Sequence, residues 1–399
     1  MGGRTFCLML LAVCLLAMPT WLHAGPTPGV TDTEVTIGIT NPLSGPAAMW
    51  GLAGYGAKAW ADYINNKGGI HGRKIKVVLK DDGYSPSRAL ANVQEMKGKV
   101  FAVTTMMGTA QVRACRDFLV ENKILMIAPL GNPMIFNDYP KGKLRYVFVQ
   151  QPSLTDEAEF LTTYAVQELG AKRLAIFYQN DEYGKGGGLK GLQQALAKMS
   201  GKAELVAAVP YEVTERALGA HALRLKESGA DTLIIYASPV HAVLILKNLS
   251  KIGYRPTIIS SGTNSSPNMF KIAGKLWEGI YIGTSPNGGN PGLDPEADRV
   301  AKILAKYESK TIGHEFLSIY GAGTMMLLVE GLKRAGRDLN TETMIKGMET
   351  IKDWKAEGMG IPITFGPNRR HGANGSRIMR ALGGKYHYLT DWVHFPIRF

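Results

Sequence analysis

Two adjacent carboxylates, Asp81 and Asp82, close the stretch NNKGGIHGRKIKVVLKDD at residues 65 to 82, and paired acids are what general acid–base chemistry uses. GGGLKG at residues 186 to 191 fits the glycine pattern that cradles a dinucleotide pyrophosphate. The loop NDEYGK, however, stands between it and the apolar run Arg173 to Tyr178, so the tight strand–turn–helix that phosphate needs is missing. No Walker loop, G-x-S-x-G elbow or H-E-x-x-H motif occurs, and the eight histidines are scattered. Cys115 reads as a small buried hydrophobe, with no histidine close to it in sequence. These residues predict neither an enzyme nor a cofactor or metal site.

Stepping outward, 399 residues with 45% hydrophobic content suffice for a large core divided between two globular units. MGGRTFCLMLLAVCLLAMPTWLHA, residues 1 to 24, has the layout of a cleaved secretory signal, with Arg4 at its start and Ala24 before Gly25. The expected mature protein is periplasmic and soluble, and keeps Cys115 as its single thiol. Removing Arg4 leaves 45 basic against 33 acidic residues, or +12. That charge is spread in pairs such as Arg73-Lys74 and Arg369-Arg370, without an aromatic-interleaved stripe, so nucleic acid is not an expected partner.

Strand and helix alternate along the chain. Val35 to Ile39 reads as a strand, Ala53 to Asn65 as a helix, Ile75 to Leu79 as a strand and Pro86 to Met96 as a helix. Val100 to Thr104, Gln111 to Glu121 and Ile124 to Ile127 continue the pattern. A second series follows: helices Thr155 to Leu169, Gly188 to Met199 and Val240 to Ile252 alternate with strands Arg173 to Tyr178, Glu204 to Val209, Thr232 to Tyr236 and Thr257 to Ser260. Apolar strands between helices predict an α/β protein of two Rossmann-like lobes with parallel sheets. Gly68-Gly69 and Gly72 turn the chain from helix into strand, and Asp81-Asp82 sit at that strand's carboxyl end, where open α/β sheets gather ligands.

The segments VTIGITNPLSGPAAMWG, INNKGGIHGRKIKVVLKDD, ILMIAPLGNP, KRLAIFYQNDEYGKG and HEFLSIYGAGTMMLLVEGLKRAG, in this order, resemble the branched-chain-amino-acid type of periplasmic substrate-binding protein of ABC importers. The resemblance implies a type I periplasmic binding fold with three interlobe crossings, near Phe148 to Pro152, Ile280 to Ser285 and Pro362 to Gly366. It places lobe 1 at 28–149 plus 282–363, lobe 2 at 150–281 plus 364–399, and a ligand cleft between them. It also implies a small-molecule ligand, inner-membrane transporter components as partners and a monomer, with Asp81-Asp82 structural.

Carried across by that resemblance, the carboxylate-holding positions are Thr109 and Asn132, both able to donate a hydrogen bond. Thr109 also precedes a helix whose N-terminal amides attract a polarised oxygen. The ammonium-binding acid falls around Gly262 or Thr263, and no Asp or Glu occurs between Asp231 and Glu278 to replace it. An aromatic position corresponds to Pro239. Trp50 and Tyr183 remain as rings, each read as a ligand contact or a packing ring. Met107, with Met106, is an adaptable wall or plain core, and His241 a ligand hydrogen-bond partner or a solvated residue in a first helical turn.

These positions predict a periplasmic binding protein that closes on a largely apolar non-amino-acid ligand, an aromatic or lipid-like acid or alcohol with sterol-like molecules included, and delivers it to a membrane transporter. Leucine, isoleucine and valine are expected not to bind. The alternatives are an amino-acid or amide receptor with a rearranged ammonium site, and a ligand sensor that does not transport.

Overall fold

The computed structural model describes residues 27–286 and 288–399; the segment read as an export signal lies outside the described residues. Two sheets organise the chain. The first contains β1 (Glu34–Asn41), β2 (Lys74–Asp81), β3 (Ala102–Thr104), β4 (Leu125–Ile127) and β5 (Val147–Phe148), all parallel, in the order β2-β1-β3-β4-β5. Helices α1 (Leu52–Asn66), α2 (Pro86–Met96), α3 (Thr109–Glu121) and the short α4 (Lys141–Leu144) connect these strands.

The second sheet has the order β12-β11-β10-β9-β8-β6-β7. Its strands are β6 (Arg173–Gln179), β7 (Glu204–Tyr211), β8 (Thr232–Tyr236), β9 (Thr257–Ser260), β10 (Tyr281–Thr284), β11 (Gly375–Leu382) and β12 (Lys385–Tyr388), with β13 (Val393–His394) paired beside β11. Helices α5 (Leu154–Gln167), α6 (Lys190–Lys198), α7 (Gly219–Glu227), α8 (Pro239–Lys251) and α9 (Asn268–Ala273) flank it. Then α10 (Pro295–Tyr307), α11 (Glu315–Ala335) and α12 (Thr341–Glu349) return to cover the first sheet. Among the described residues no helix is long and apolar enough to cross a membrane.

Local chemistry starts the helices where the site needs them. Ser85-Pro86, Ser238-Pro239 and Asp294-Pro295 repeat one device, a side chain accepting from a first-turn amide followed by a proline whose fixed φ suits N1. Ser153 caps α5 by accepting from Asp156 N, which fixes the first turn that carries Glu157. The strands β3, β4 and β8 are buried along their whole length, as parallel strands covered on both faces must be.

Helices α1 and α11 cross in backbone contact. A Cβ on Gly56 would stand 1.9 Å from the Ser318 carbonyl oxygen, and one on Gly321 would stand 1.8 Å from that of Ala53. This crossing lets α11, the longest helix, present Phe316, Leu317 and Tyr320 to the space between the sheets.

The chain crosses between the sheets beside its own C-terminus. Val149 pairs with His371, and the Phe399 carbonyl accepts from Arg370 N at 2.9 Å and His371 N at 3.0 Å. Phe365 and Ala373 still pack in the first lobe's core, beyond the 363/364 boundary expected from the sequence.

His371 is fully buried, donates from Nε2 to Gln151 O at 2.9 Å and leaves Nδ1 without a partner. Burial pushes its pKa down to about 4, as it does for buried His241. Unfolding restores a pKa near 6.5, so the unfolded chain binds more protons below that pH, and stability held above it is lost as pH falls toward 4. At 1.36 kcal/mol per unit, each histidine accounts for about 3 kcal/mol at the limit. Asp82, pushed up to about 6 by burial, acts in the opposite sense, as do Glu157 and Asp181, whose pKa values burial also raises, and together they offset the loss. Denaturant titrations are expected to show His371→Gln losing less stability than the parent between pH 6.5 and 4, by roughly 2–3 kcal/mol. Parallel profiles of parent and variant across that window contradict the assignment.

Candidate functional site

The carboxyl ends of both sheets face one cavity of about 70 Å³. One water needs roughly 10–15 Å³, so it holds a small cluster of waters or a guest of comparable bulk. Trp50 arrives on the loop after β1, Met107, Gly108 and Thr109 on the turn into α3, and Leu130 after β4. From the other sheet come Leu154 and Glu157 on α5, Tyr183 beyond β6, and Gly262 and Thr263 beyond β9.

Rings close the space across the lobes. Trp50 meets Tyr183 edge-on with centroids 5.7 Å apart and Tyr84 at 5.1 Å, and Tyr183 leans on Tyr236 at 5.1 Å. The Tyr183 hydroxyl lies 2.7 Å from Thr263 Oγ1 and 3.0 Å from Ser261 Oγ, so its polar end is already satisfied by the protein. What it offers a guest is its ring face.

One ionisable group on this wall was not anticipated from sequence. Glu157 is buried, accepts from Gly262 N at 2.9 Å through Oε1, and accepts from the Tyr236 hydroxyl at 2.7 Å through Oε2. Burial raises its pKa, against the lowering effect of those two hydrogen bonds. The expectation of a cleft without an acid at Gly262 is therefore corrected: Glu157 reaches that place from 105 residues earlier in the chain. Its only local signature is an acid in a capped first helical turn, which the helix dipole explains equally well.

Of the residues singled out in the sequence, Trp50, Met107, Thr109, Tyr183 and Thr263 lie on this wall. Thr109 Oγ1 accepts from Asn132 N at 3.0 Å, leaving its proton to donate. Asn132 is occupied elsewhere, because its amide donates to Thr155 Oγ1 at 3.0 Å and its oxygen accepts from Met134 N. It joins the two lobes behind the cavity. Pro239 borders a small neighbouring void that shares Thr263 and Leu317 with the main cavity.

His241 is away from both, neither at the cavity nor solvated. Its ring stacks on Tyr211 at 4.2 Å, with Nδ1 2.7 Å from Ser238 Oγ and Nε2 donating to Glu215 O at 3.0 Å. The first turn of α8 directs it into the second lobe's core. Phe316, Leu317 and Tyr320 on the wall were not singled out, since α11 reads as an apolar core helix all round, and neither was Tyr84, in the loop between β2 and α2.

The acid pair has structural work. Asp81 accepts from Leu43 N at 2.8 Å and Gly83 N at 2.9 Å, and despite some burial its hydrogen bonds, led by that from Ser44, hold its pKa low. Asp82, fully buried, accepts from Thr40 Oγ1 and Tyr84 N, both at 2.8 Å. Cys115 is buried and its pKa is pushed up to about 12, so the thiolate is suppressed. No cluster of His, Cys, Asp and Glu suited to a metal ion occurs among the described residues.

Two parallel-sheet lobes with a ring-lined cavity at their shared carboxyl ends match a known family along residues 34–385. The chain is a periplasmic binding protein. The Leu/Ile/Val-binding protein BraC3 of Rhizobium johnstonii is 26% identical over 341 residues, covering 84% of this chain and 87% of that one. Among solved structures, a branched chain amino acid ABC transporter from Thermus thermophilus with bound valine superposes at a TM-score of 0.83, with 18% identity and coverage of 92% and 98%. A fatty acid ABC transporter substrate-binding protein from Thermomonospora curvata does so at 0.78, with 21% identity and coverage of 93% and 95%. Periplasmic binding proteins of this kind bind small molecules and work with the membrane components of ABC transporters.

Proposed function

We propose that this periplasmic binding protein captures a compact, largely apolar solute by closing its two lobes around it, and passes it to the membrane component of an importer. The observation that carries this reading is the wall itself, in which Trp50 from one lobe and Tyr183 from the other enclose a space whose only carboxylate among the described residues is Glu157. Aromatic and aliphatic side chains supply affinity in proportion to the apolar area they cover, about 25 cal/mol per Å². Glu157 and the Thr109 hydroxyl then orient one hydrogen-bonding group. A short alcohol, or an acid bound in its protonated form, suits such a wall, and a cavity of about 70 Å³ favours a guest smaller than a sterol.

Glu157 also favours a second reading, an amino acid or amide with its nitrogen at that carboxylate and its oxygen at the N-terminus of α3. The names of the relatives point both ways, to branched-chain amino acids and to a fatty acid.

Leucine, isoamylamine, 4-methylpentanoic acid and isoamyl alcohol share one branched skeleton and separate the two readings by calorimetry. The first expects the alcohol or acid to bind at least as tightly as leucine; leucine binding more tightly than all three fragments selects the second. In either case a true ligand raises the melting temperature and reduces the radius of gyration together. Ligands that stabilise without compaction rule out capture by closure.

A further inference from the structure

Tyr84 is held by one lobe and caught by the other. Its backbone sits at φ +64°, a conformation that side-chain-bearing residues rarely adopt, immediately after the β2 carboxyl end. Three lobe 1 contacts keep it there. Buried Asp82 accepts from its N–H at 2.8 Å, buried Gln111 donates to its carbonyl at 2.7 Å, and the Trp50 ring packs on its ring at 5.1 Å.

Its hydroxyl belongs to the other lobe. It donates to Asp181 Oδ2 at 3.3 Å and accepts from Gln179 Nε2 at 3.2 Å. Gln179 is itself fixed, donating to Asp181 at 2.6 Å and accepting from the Tyr211 hydroxyl at 3.0 Å. The other oxygen of Asp181 caps the π-helical segment Glu182–Leu189 by accepting from Tyr183 N at 2.9 Å and Gly184 N at 3.1 Å. The carboxylate that receives Tyr84 is thus the one that places the Tyr183 ring on the cavity wall. The neighbouring interlobe ion pair, Arg113 with Glu182 at 3.2 Å, is close to half-exposed on both sides and contributes little by comparison.

We infer that Tyr84 is the latch of the closed state: its hydroxyl, seated on Asp181 and Gln179, sets how much of the time the lobes stay shut, whatever ligand lies between them. Lobe 1 holds the side chain extended toward its receptor in advance, so closure forms the interlobe bonds with little further ordering. The loss of the hydroxyl then raises the rate at which the lobes part, and the Tyr183 segment keeps only its ring contact with Trp50 as a link to the first lobe. This inference rests on closure as the mode of capture.

The test needs no ligand. Arg113→Cys and Glu182→Cys place two thiols at the exposed interlobe contact, where a short bis-maleimide joins them only when the lobes are shut, and the native Cys115 is buried. Tyr84→Phe keeps the ring and is expected to slow crosslinking of ligand-free protein about fivefold to tenfold, within the range of a contact pair in a double-mutant cycle. Asp181→Asn, which keeps an oxygen for the helical cap, is expected to slow it comparably, and the two changes together to add little more. Crosslinking at the parent rate in Tyr84→Phe, or fully independent effects of the two substitutions, overturns the latch. Failure of closure itself shows elsewhere, as a radius of gyration of the parent protein that ligand leaves unchanged.

Discussion

Trp50→Ala is expected to weaken ligand binding about a hundredfold while leaving both lobes folded. The indole is 5% exposed, wedged between Tyr84 and Tyr183 at the junction of the lobes, in a buried cluster with Leu52, Met107, Leu130 and Leu154. Removing about 100 Å² of apolar contact, most of it with Tyr183 across the lobe junction and the rest with a guest, costs roughly 2.5 kcal/mol of the closed, ligand-bound state at the usual coefficient, which is close to two decades in Kd. Trp50→Phe, which keeps a ring between the two tyrosines, is expected to lose less than tenfold. Calorimetry with the tightest member of the branched-skeleton series checks both values. An unchanged affinity in Trp50→Ala places the ligand elsewhere.

Gly321→Val is expected to have the largest effect on stability. The added Cβ would lie 1.8 Å from the Ala53 carbonyl oxygen, which is backbone and cannot rotate away, so α1 and α11 must separate. Those helices carry Ala57, Trp60, Ile319, Ala322 and Met326 into the first lobe's core, and separation loosens all of them at once. Overpacking that moves backbone costs about 3 kcal/mol or more, a fall in melting temperature of roughly 6–12 °C for a unit of this size. Gly142→Ala, with nothing within 4 Å of the new atom and an ordinary backbone conformation, is the matching control and is expected to change little. Calorimetric melting of the two variants decides the point. A Gly321→Val midpoint within about 2 °C of the parent shows that the helices part at little cost.

Much of this architecture is legible in local sequence because the rules involved act over a few residues. The alternation of apolar strands with capped helices places β1 through β4 and β6 through β9 close to where the structure has them, and the glycine turns at 68 to 72 follow from backbone conformations with φ +107°, +80° and +80°. A serine or aspartate before a proline marks three helix starts without reference to the rest of the chain. Trp50, Thr109 and Tyr183 reach the cavity wall from loops at strand carboxyl ends, a position that the parallel-sheet order already dictates.

The cavity's chemistry was decided at longer range. Glu157 touches Gly262 across 105 residues, Tyr84 touches Asp181 across 97, and Ser153 N donates to Asn374 across 221. The same holds for β11 and β12, which enter the second sheet antiparallel beside β10 only after the chain has gone back to build α10, α11 and α12 on the first. His241 shows the limit from the other side, since a first-turn position leaves open which way the helix faces, and the stacking partner Tyr211 on β7 turned it inward. Propensity, capping and strand period are properties of neighbours along the chain. Which acid meets which amide across a cleft depends on how two sheets, joined by several crossings, are packed against each other, and that packing exists only in the assembled tertiary structure.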